Sequence, residues 1–221
     1  MTTSNNPTIG IWVGQTLHFS CMVVLLIMTF TAWSLVGSPH PILFWIAVAI
    51  PIVHQVYVWI AWRLELKDGT TSKAIGFNGY VFLFFVLFGG RFISLFALGW
   101  VDRGSLDLSR TPLIILTLLL AVPGIYAMIS VKKYFGMSRA AGADHFDPKY
   151  RTMPFVKKGI FRFTNNGMYL YAFLLFWAIA IGLNSKAALI VAAFSHAYIW
   201  VHYYVTEKPD IDYLYNSLGQ Q

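Results

Sequence analysis

Apolar residues run along this chain in blocks rather than at the spacing of a one-sided helix or strand. Six blocks stand out, at roughly 10–36, 41–64, 76–100, 112–131, 167–183 and 187–205. A helix that is apolar all round has no face for water, and a hydrocarbon core needs about 20 such residues to be crossed. The pattern therefore predicts an all-α integral membrane protein with about six transmembrane helices. Pro41 and Pro112 stand near the starts of the second and fourth blocks, where a missing N–H costs nothing. Pro51 and Pro123-Gly124 fall inside blocks and predict kinks. The first block begins without a positive lead and ends without a small-residue cleavage site, so it reads as a span rather than a signal segment. Only Gly-Leu-Asn-Ser-Lys separates the last two blocks, which predicts a C-terminal helical hairpin.

Composition agrees with the pattern. The 221 residues are 57% hydrophobic and 11% charged, with a mean hydropathy of +0.62, which excludes an ordinary soluble domain. The net charge of +7 does not signal nucleic acid, because the basic residues sit in loops rather than on a soluble face. Twelve Lys and Arg fall in the 2–3 loop, the 4–5 segment and the tail, against three in the 3–4 and 5–6 loops. The positive-inside rule then places both termini and the 4–5 segment in the cytoplasm, of a bacterial inner membrane or the endoplasmic reticulum. The single Cys21 lies within the first block and reads as a packed thiol.

Segment 132–166 is the one long stretch outside the spans, and its seven Phe and Tyr residues, with His145, predict an interfacial fold rather than a solvated linker. It ends in Thr164, Asn165 and Asn166, all good helix caps, so the hairpin's entrance carries more polar groups than capping requires. Helix N-termini bind carboxylates and phosphates well. At the hairpin's exit His196, Trp200, Tyr203 and Glu207 follow at spacings of four, three and four, one stripe of a continuous helix. His202 is six residues from His196, and no clustered His/Cys pattern occurs, so no metal site is expected. Walker, Rossmann and Gly-x-Ser-x-Gly patterns are absent from the sequence. Arg91, after Gly89-Gly90, is the one charge well inside a block and is expected to bond carbonyls of a broken helix.

The order "PGIYAMISVKKYFG", "MPFVKKGIFRFTNNGMYLYAF" and "TEKPDIDYLY" resembles the phospholipid (phosphatidylethanolamine) N-methyltransferases and, more distantly, the isoprenylcysteine carboxyl methyltransferases. Gly159 and Arg162 match the family's lead, Asn165 and Asn166 its polar pair, Met168-Tyr169 its step into the hairpin, and Glu207 its first carboxylate. Gly167 stands where the family has proline, and Lys208 replaces the second glutamate. The resemblance implies a cytoplasmic S-adenosyl-L-methionine site with contacts from Gly124, Tyr134, Arg162, Asn165, Asn166, Met168, Tyr169, Tyr203, Glu207 and Lys208. It makes residues 112–221 a methyltransferase-like module and leaves 1–111, the first three helices, to select substrate.

Such a cofactor suits the residues themselves, because a helix N-terminus fits its carboxylate, Glu207 its ammonium and aromatic faces its sulfonium. An amine acceptor must also lose a proton: His145, between Asp144 and Asp147, is the first candidate base and His202 the second, with Glu207 as the other catalytic residue expected. Lys157, Lys158, His196, Trp200 and His202 are expected at the substrate, a membrane phospholipid. Two other enzyme readings remain open, a carboxyl methyltransferase of the isoprenylcysteine type or another small lipophilic acceptor, and an NADPH-dependent sterol reductase. The absence of acidic residues between Asp147 and Glu207 weighs against the reductase. A small transporter or scaffold would predict repeats or intramembrane charge pairs, which the sequence lacks. A homo-oligomer is compatible with the sequence.

Overall fold

A computed structural model describes residues 9–216, and among them there is no β-strand. Four long helices come first: α1 (Gln15–Leu35), α2 (Pro41–Asp68), α3 (Thr70–Val101) and α4 (Arg110–Ser130). Two short helices, α5 (Met137–Ala140) and α6 (Ala143–Phe146), lie in the segment before the hairpin of α7 (Leu174–Gly182) and α8 (Lys186–His202), and α9 (Lys208–Asn216) ends the described chain. Turns of π-helix, Val131–Phe135 after α4 and Tyr203–Glu207 after α8, extend both helices, so Arg110–Phe135 and Lys186–Tyr215 are continuous spans. Five helices are long and apolar enough to cross a membrane. The helix of the fifth block, Met168–Gly182, is shorter than a full crossing, and its first turn is also π-helical. Leu17, Ile27, Phe82, Leu119 and Val122 expose large apolar side chains, as a lipid-facing surface requires.

Local chemistry explains the boundaries. Gly69 closes α2 at φ 71°, and Gly76, at φ 68° and ψ 165°, breaks α3 six residues after its start, where the third apolar block begins. Pro51 and Pro123 lie inside α2 and α4. At the other end of the bundle Asp102 is buried and accepts from Ser185 Oγ (2.6 Å), Ser105 Oγ (2.7 Å) and the Ala187 N–H (2.9 Å). A carboxylate at the N-terminus of α8 satisfies its free donors and favours its dipole, which fixes the hairpin's far turn. One apolar cluster joins α1, α2, α3 and the hairpin through Trp33, Phe44, Leu98, Phe176 and Tyr198. His18 bridges Gln15 and the Tyr198 hydroxyl, each at 2.8 Å, tying α1 to α8.

Arg91 departs from expectation. Gly89 and Gly90 lie within continuous helix, so no broken backbone offers it carbonyls. Its guanidinium sits over Phe173 and Phe176, 5.0 and 5.3 Å from the ring centres.

Candidate active site

Beneath α5 and α6 lies a cavity open to solvent on one side, walled by the hairpin entrance, the end of α8 and α9. Asn165, Asn166, Met168, Tyr169, Tyr203 and Glu207 line it, six of the residues singled out from the sequence. The Tyr169 hydroxyl donates to Glu207 Oε2 across thirty-eight residues of chain. Its ring packs against Trp200 and Tyr203, with centroids 6.0 and 5.5 Å apart. The predicted stripe divides at this point. Trp200, Tyr203 and Glu207 meet Tyr169, whereas His196 accepts from Trp177 Nε1 at 3.0 Å, deeper in the hairpin. The π-turns that open the hairpin and follow α8 place these side chains, and such turns recur where helices are locally distorted for function.

The structure adds a charged roof that local sequence pattern does not reveal. His145 is buried, stacks on Trp62 with ring centres 3.9 Å apart, and stands between two carboxylates. Its Nδ1 is 3.0 Å from Asp144 Oδ1, and its Nε2 is 3.4 Å from Asp210 Oδ2. Asp210, fully buried, also holds Arg63 at 2.6 Å, and Arg63 donates to the Gly10 carbonyl at 2.6 Å. Asp147, the second partner expected for His145, instead pairs with Lys149 at the surface. Burial alone lowers an imidazole pKa, but the bonds to Asp144 and Asp210 outweigh it and push His145 up to about 9. Burial works against charge on Asp144, yet its bond to His145 holds it below the usual carboxylate range. The two carboxylates favour the protonated imidazole, with Nδ1 bonded to Asp144 and Nε2 facing Asp210, which suits His145 to holding the roof rather than to the role of free base expected from the sequence.

This arrangement has a pH signature. A raised folded-state pKa stabilises fully below the unfolded value of about 6.5, and that stabilisation is lost as pH rises through about 9. The thermal unfolding midpoint should therefore fall across this window, and His145→Gln should flatten that fall. A wild-type midpoint that stays level from pH 6.5 to 9.5 would contradict the imidazolium.

Several expected residues stand elsewhere. Gly124 does not reach the cavity; a Cβ there would lie 2.8 Å from Leu175 Cγ, so the glycine admits α7 against α4. Tyr134 is more than a third exposed beneath Lys133 Nζ, and Lys157, Lys158 and Arg162 are exposed and outside the cavity wall. Lys208 pairs with Asp212 at 2.7 Å on the surface. At Gly167 buried Ile160 fills the space a side chain would take, its Cγ2 2.9 Å from where a Cβ would sit. The roof's own glycine is Gly142, at φ 86°, where a Cβ would fall 2.3 Å from the Trp62 ring. Arg139, buried with its guanidinium 5.0 Å from the Phe135 ring centre, and Asp144 complete the polar lining.

A second, narrower and almost wholly apolar cavity opens from the same place into the bundle. Trp62, Ala140, Met168, Tyr169 and Glu207 line both cavities, so the Tyr169–Glu207 pair stands at their junction. His202 lines the inner one. Among the described residues no cluster of His, Cys, Asp or Glu could hold a metal ion.

Residues 112–217, just under half of the chain, match the model of the phospholipid methyltransferase family. No curated protein and no solved structure matches the chain. The matched region contains the hairpin, the segment before it and the end of α8, which form the outer cavity. Trp62 is the outer cavity's one lining residue from outside that region.

Proposed function

We propose, from the premise that residues 112–217 form a phospholipid methyltransferase domain, that the chain transfers methyl groups from S-adenosyl-L-methionine to the amine headgroup of a membrane phospholipid. The observation that carries this reading is the meeting of two cavities at Tyr169 and Glu207, one with charged and amide groups set among aromatics and one almost wholly apolar. The cofactor would supply an electrophilic methyl group. The outer cavity's donor set fits it: Arg139 for its carboxylate, Asp144 or Glu207 for its ammonium, and Tyr169 and Tyr203 as aromatic faces near its cationic centre. Asn165 and Asn166 contribute polar groups at the hairpin's start.

The chain's own part in catalysis is alignment and proton acceptance, since an in-line displacement needs no covalent nucleophile. Glu207, held by the Tyr169 hydroxyl, faces the junction and takes the proton that an ammonium acceptor must lose. His145 holds the roof in place through Asp144 and Asp210 and acts as a positioning residue. The first three helices form much of the inner wall through residues of α2 and α3, which suits them to acceptor selection. The basic segment above the cavity faces the cytoplasm in this reading. The terminal residues 1–8 and 217–221, expected on the same side, lie outside the described residues.

The test is differential stabilisation of the purified protein by ligands. S-adenosyl-L-methionine at a hundred times its Kd should stabilise by about 2.7 kcal/mol, a readily measured rise in midpoint, whereas NADPH should leave it unchanged. A rise with NADPH alone would support the reductase and overturn this reading.

A further inference from the structure

The inner cavity holds polar groups that the methyl-transfer reading leaves unused. Arg91 is 3% exposed, and its Nε and Nη2 have no hydrogen-bond partner. His54 is 2% exposed with both ring nitrogens unpartnered, and His202 is 2% exposed with Nδ1 unpartnered. All three line the cavity, and His54 lies close enough to Arg91 and His202 to feel their charges. The surroundings are otherwise aromatic and aliphatic, with Phe88, Phe173 and Phe176 in the same wall. A guanidinium remains charged at any ordinary pH, and an unpaired charge at membrane depth is costly. The rings of Phe173 and Phe176 offset only part of that cost. None of the ion pairs among the described residues supplies Arg91 with a carboxylate.

We infer that Arg91, His54 and His202 form a binding site inside the membrane for the anionic oxygen group, phosphate or carboxylate, of an apolar-chained ligand. The ligand supplies the negative charge that the protein omits. An anion meets the guanidinium through charge-assisted bonds, the two imidazoles offer further donors, and the phenylalanines take the chain. Resting on the methyltransferase reading, the site would hold the acceptor with its reactive group toward Tyr169 and Glu207, where the cavity joins the outer one. Specificity would then come from the N-terminal helices, since Arg91 and His54 belong to α3 and α2.

The experiment measures binding of three single-chain probes to the full chain in a neutral maltoside detergent: lysophosphatidylethanolamine, oleate and uncharged monoolein. Binding of S-adenosyl-L-methionine is followed in parallel. At least one of the two probes that carry an anionic oxygen group, the zwitterionic lysophospholipid or oleate, should bind at least tenfold more tightly than monoolein, and Arg91→Met should abolish that preference while cofactor binding persists. Preference for the lysophospholipid assigns the site to phosphate, and preference for oleate assigns it to carboxylate. The ligand-free Arg91→Met protein should melt no lower than wild type, because the substitution removes an uncompensated charge. Equal binding of all three probes, an unchanged preference in Arg91→Met, or a variant that fails to fold would overturn the inference. Loss of cofactor binding in the wild type would instead strike the methyltransferase reading, and the probe measurements would still decide this one.

Discussion

Glu207→Gln should reduce methyl transfer, as kcat/KM, by at least about 100-fold, roughly 3 kcal/mol of transition-state stabilisation. The expectation follows from its position. Glu207 lines both cavities, and its Oε2 accepts from the Tyr169 hydroxyl. Glutamine keeps the size and can still accept from Tyr169, so packing survives while the negative charge and the proton-accepting function are lost. Tyr169→Phe should cost less, on the order of tenfold, because it removes the hydroxyl that orients the carboxylate but not the carboxylate itself. Steady-state kinetics with calorimetric cofactor titration separates the two roles: a loss confined to kcat marks proton acceptance, and a loss in cofactor Kd marks ammonium recognition. Wild-type kinetics in Glu207→Gln would remove this residue from the site.

Asp210→Ala should have the largest effect on stability, about 3–5 kcal/mol, enough to unfold a marginal membrane protein in detergent. The aspartate is fully buried between Arg63 Nε at 2.6 Å and His145 Nε2 at 3.4 Å. Removing it leaves the buried Arg63 guanidinium without its ion-pair partner and leaves His145 paired with Asp144. The cost should shrink when Arg63→Met is added, since the double variant no longer buries an unpaired guanidinium. Thermal unfolding of the two single variants and the double variant measures this coupling, and additive losses would mean that Arg63 and Asp210 do not act as a pair. The same charges tie the end of α2 to α9 over the outer cavity, so Asp210→Ala should also weaken cofactor binding.

How far the sequence foretold this arrangement depended on the range of the interaction involved. The apolar blocks mark every span, because a lipid-facing helix must be apolar wherever it touches hydrocarbon. The five-residue connection fixes the hairpin, and the hairpin in turn brings Tyr169 beside Trp200, Tyr203 and Glu207. The roof was illegible. Arg63 and Asp210 are 147 positions apart, and each alone resembles an ordinary interfacial charge; Arg63 in particular is indistinguishable from a positive-inside signal. Trp62 looked like another apolar residue at the end of a span, although it stacks on His145 and donates to the Tyr80 hydroxyl at 2.7 Å. Adjacent acids single out His145 and name Asp144 and Asp147 as its partners, but the second carboxylate facing it is Asp210, remote in sequence, while Asp147 pairs with Lys149. The π-turns left no periodic trace either, because five residues are too few to reveal a change of period. Gly124 and Gly167 show a different limit: in each, the space a side chain would occupy is filled by a neighbour remote in sequence.

In the proposed reaction the two cavities would divide the labour of the chain. The family-matched half builds the outer cavity, and α2 and α3 contribute His54 and Arg91 to the inner one. A change of acceptor could therefore evolve in α2 and α3 without disturbing the groups proposed to hold the methyl donor.

The central claim is most directly tested by incubating the purified protein with S-adenosyl-L-methionine carrying a labelled methyl group, together with phospholipid vesicles containing phosphatidylethanolamine. The account predicts label on the amine headgroup, dependent on Glu207 and absent when phosphatidylcholine, already fully methylated, is the only lipid. Label on no lipid, despite demonstrated cofactor binding, would contradict it.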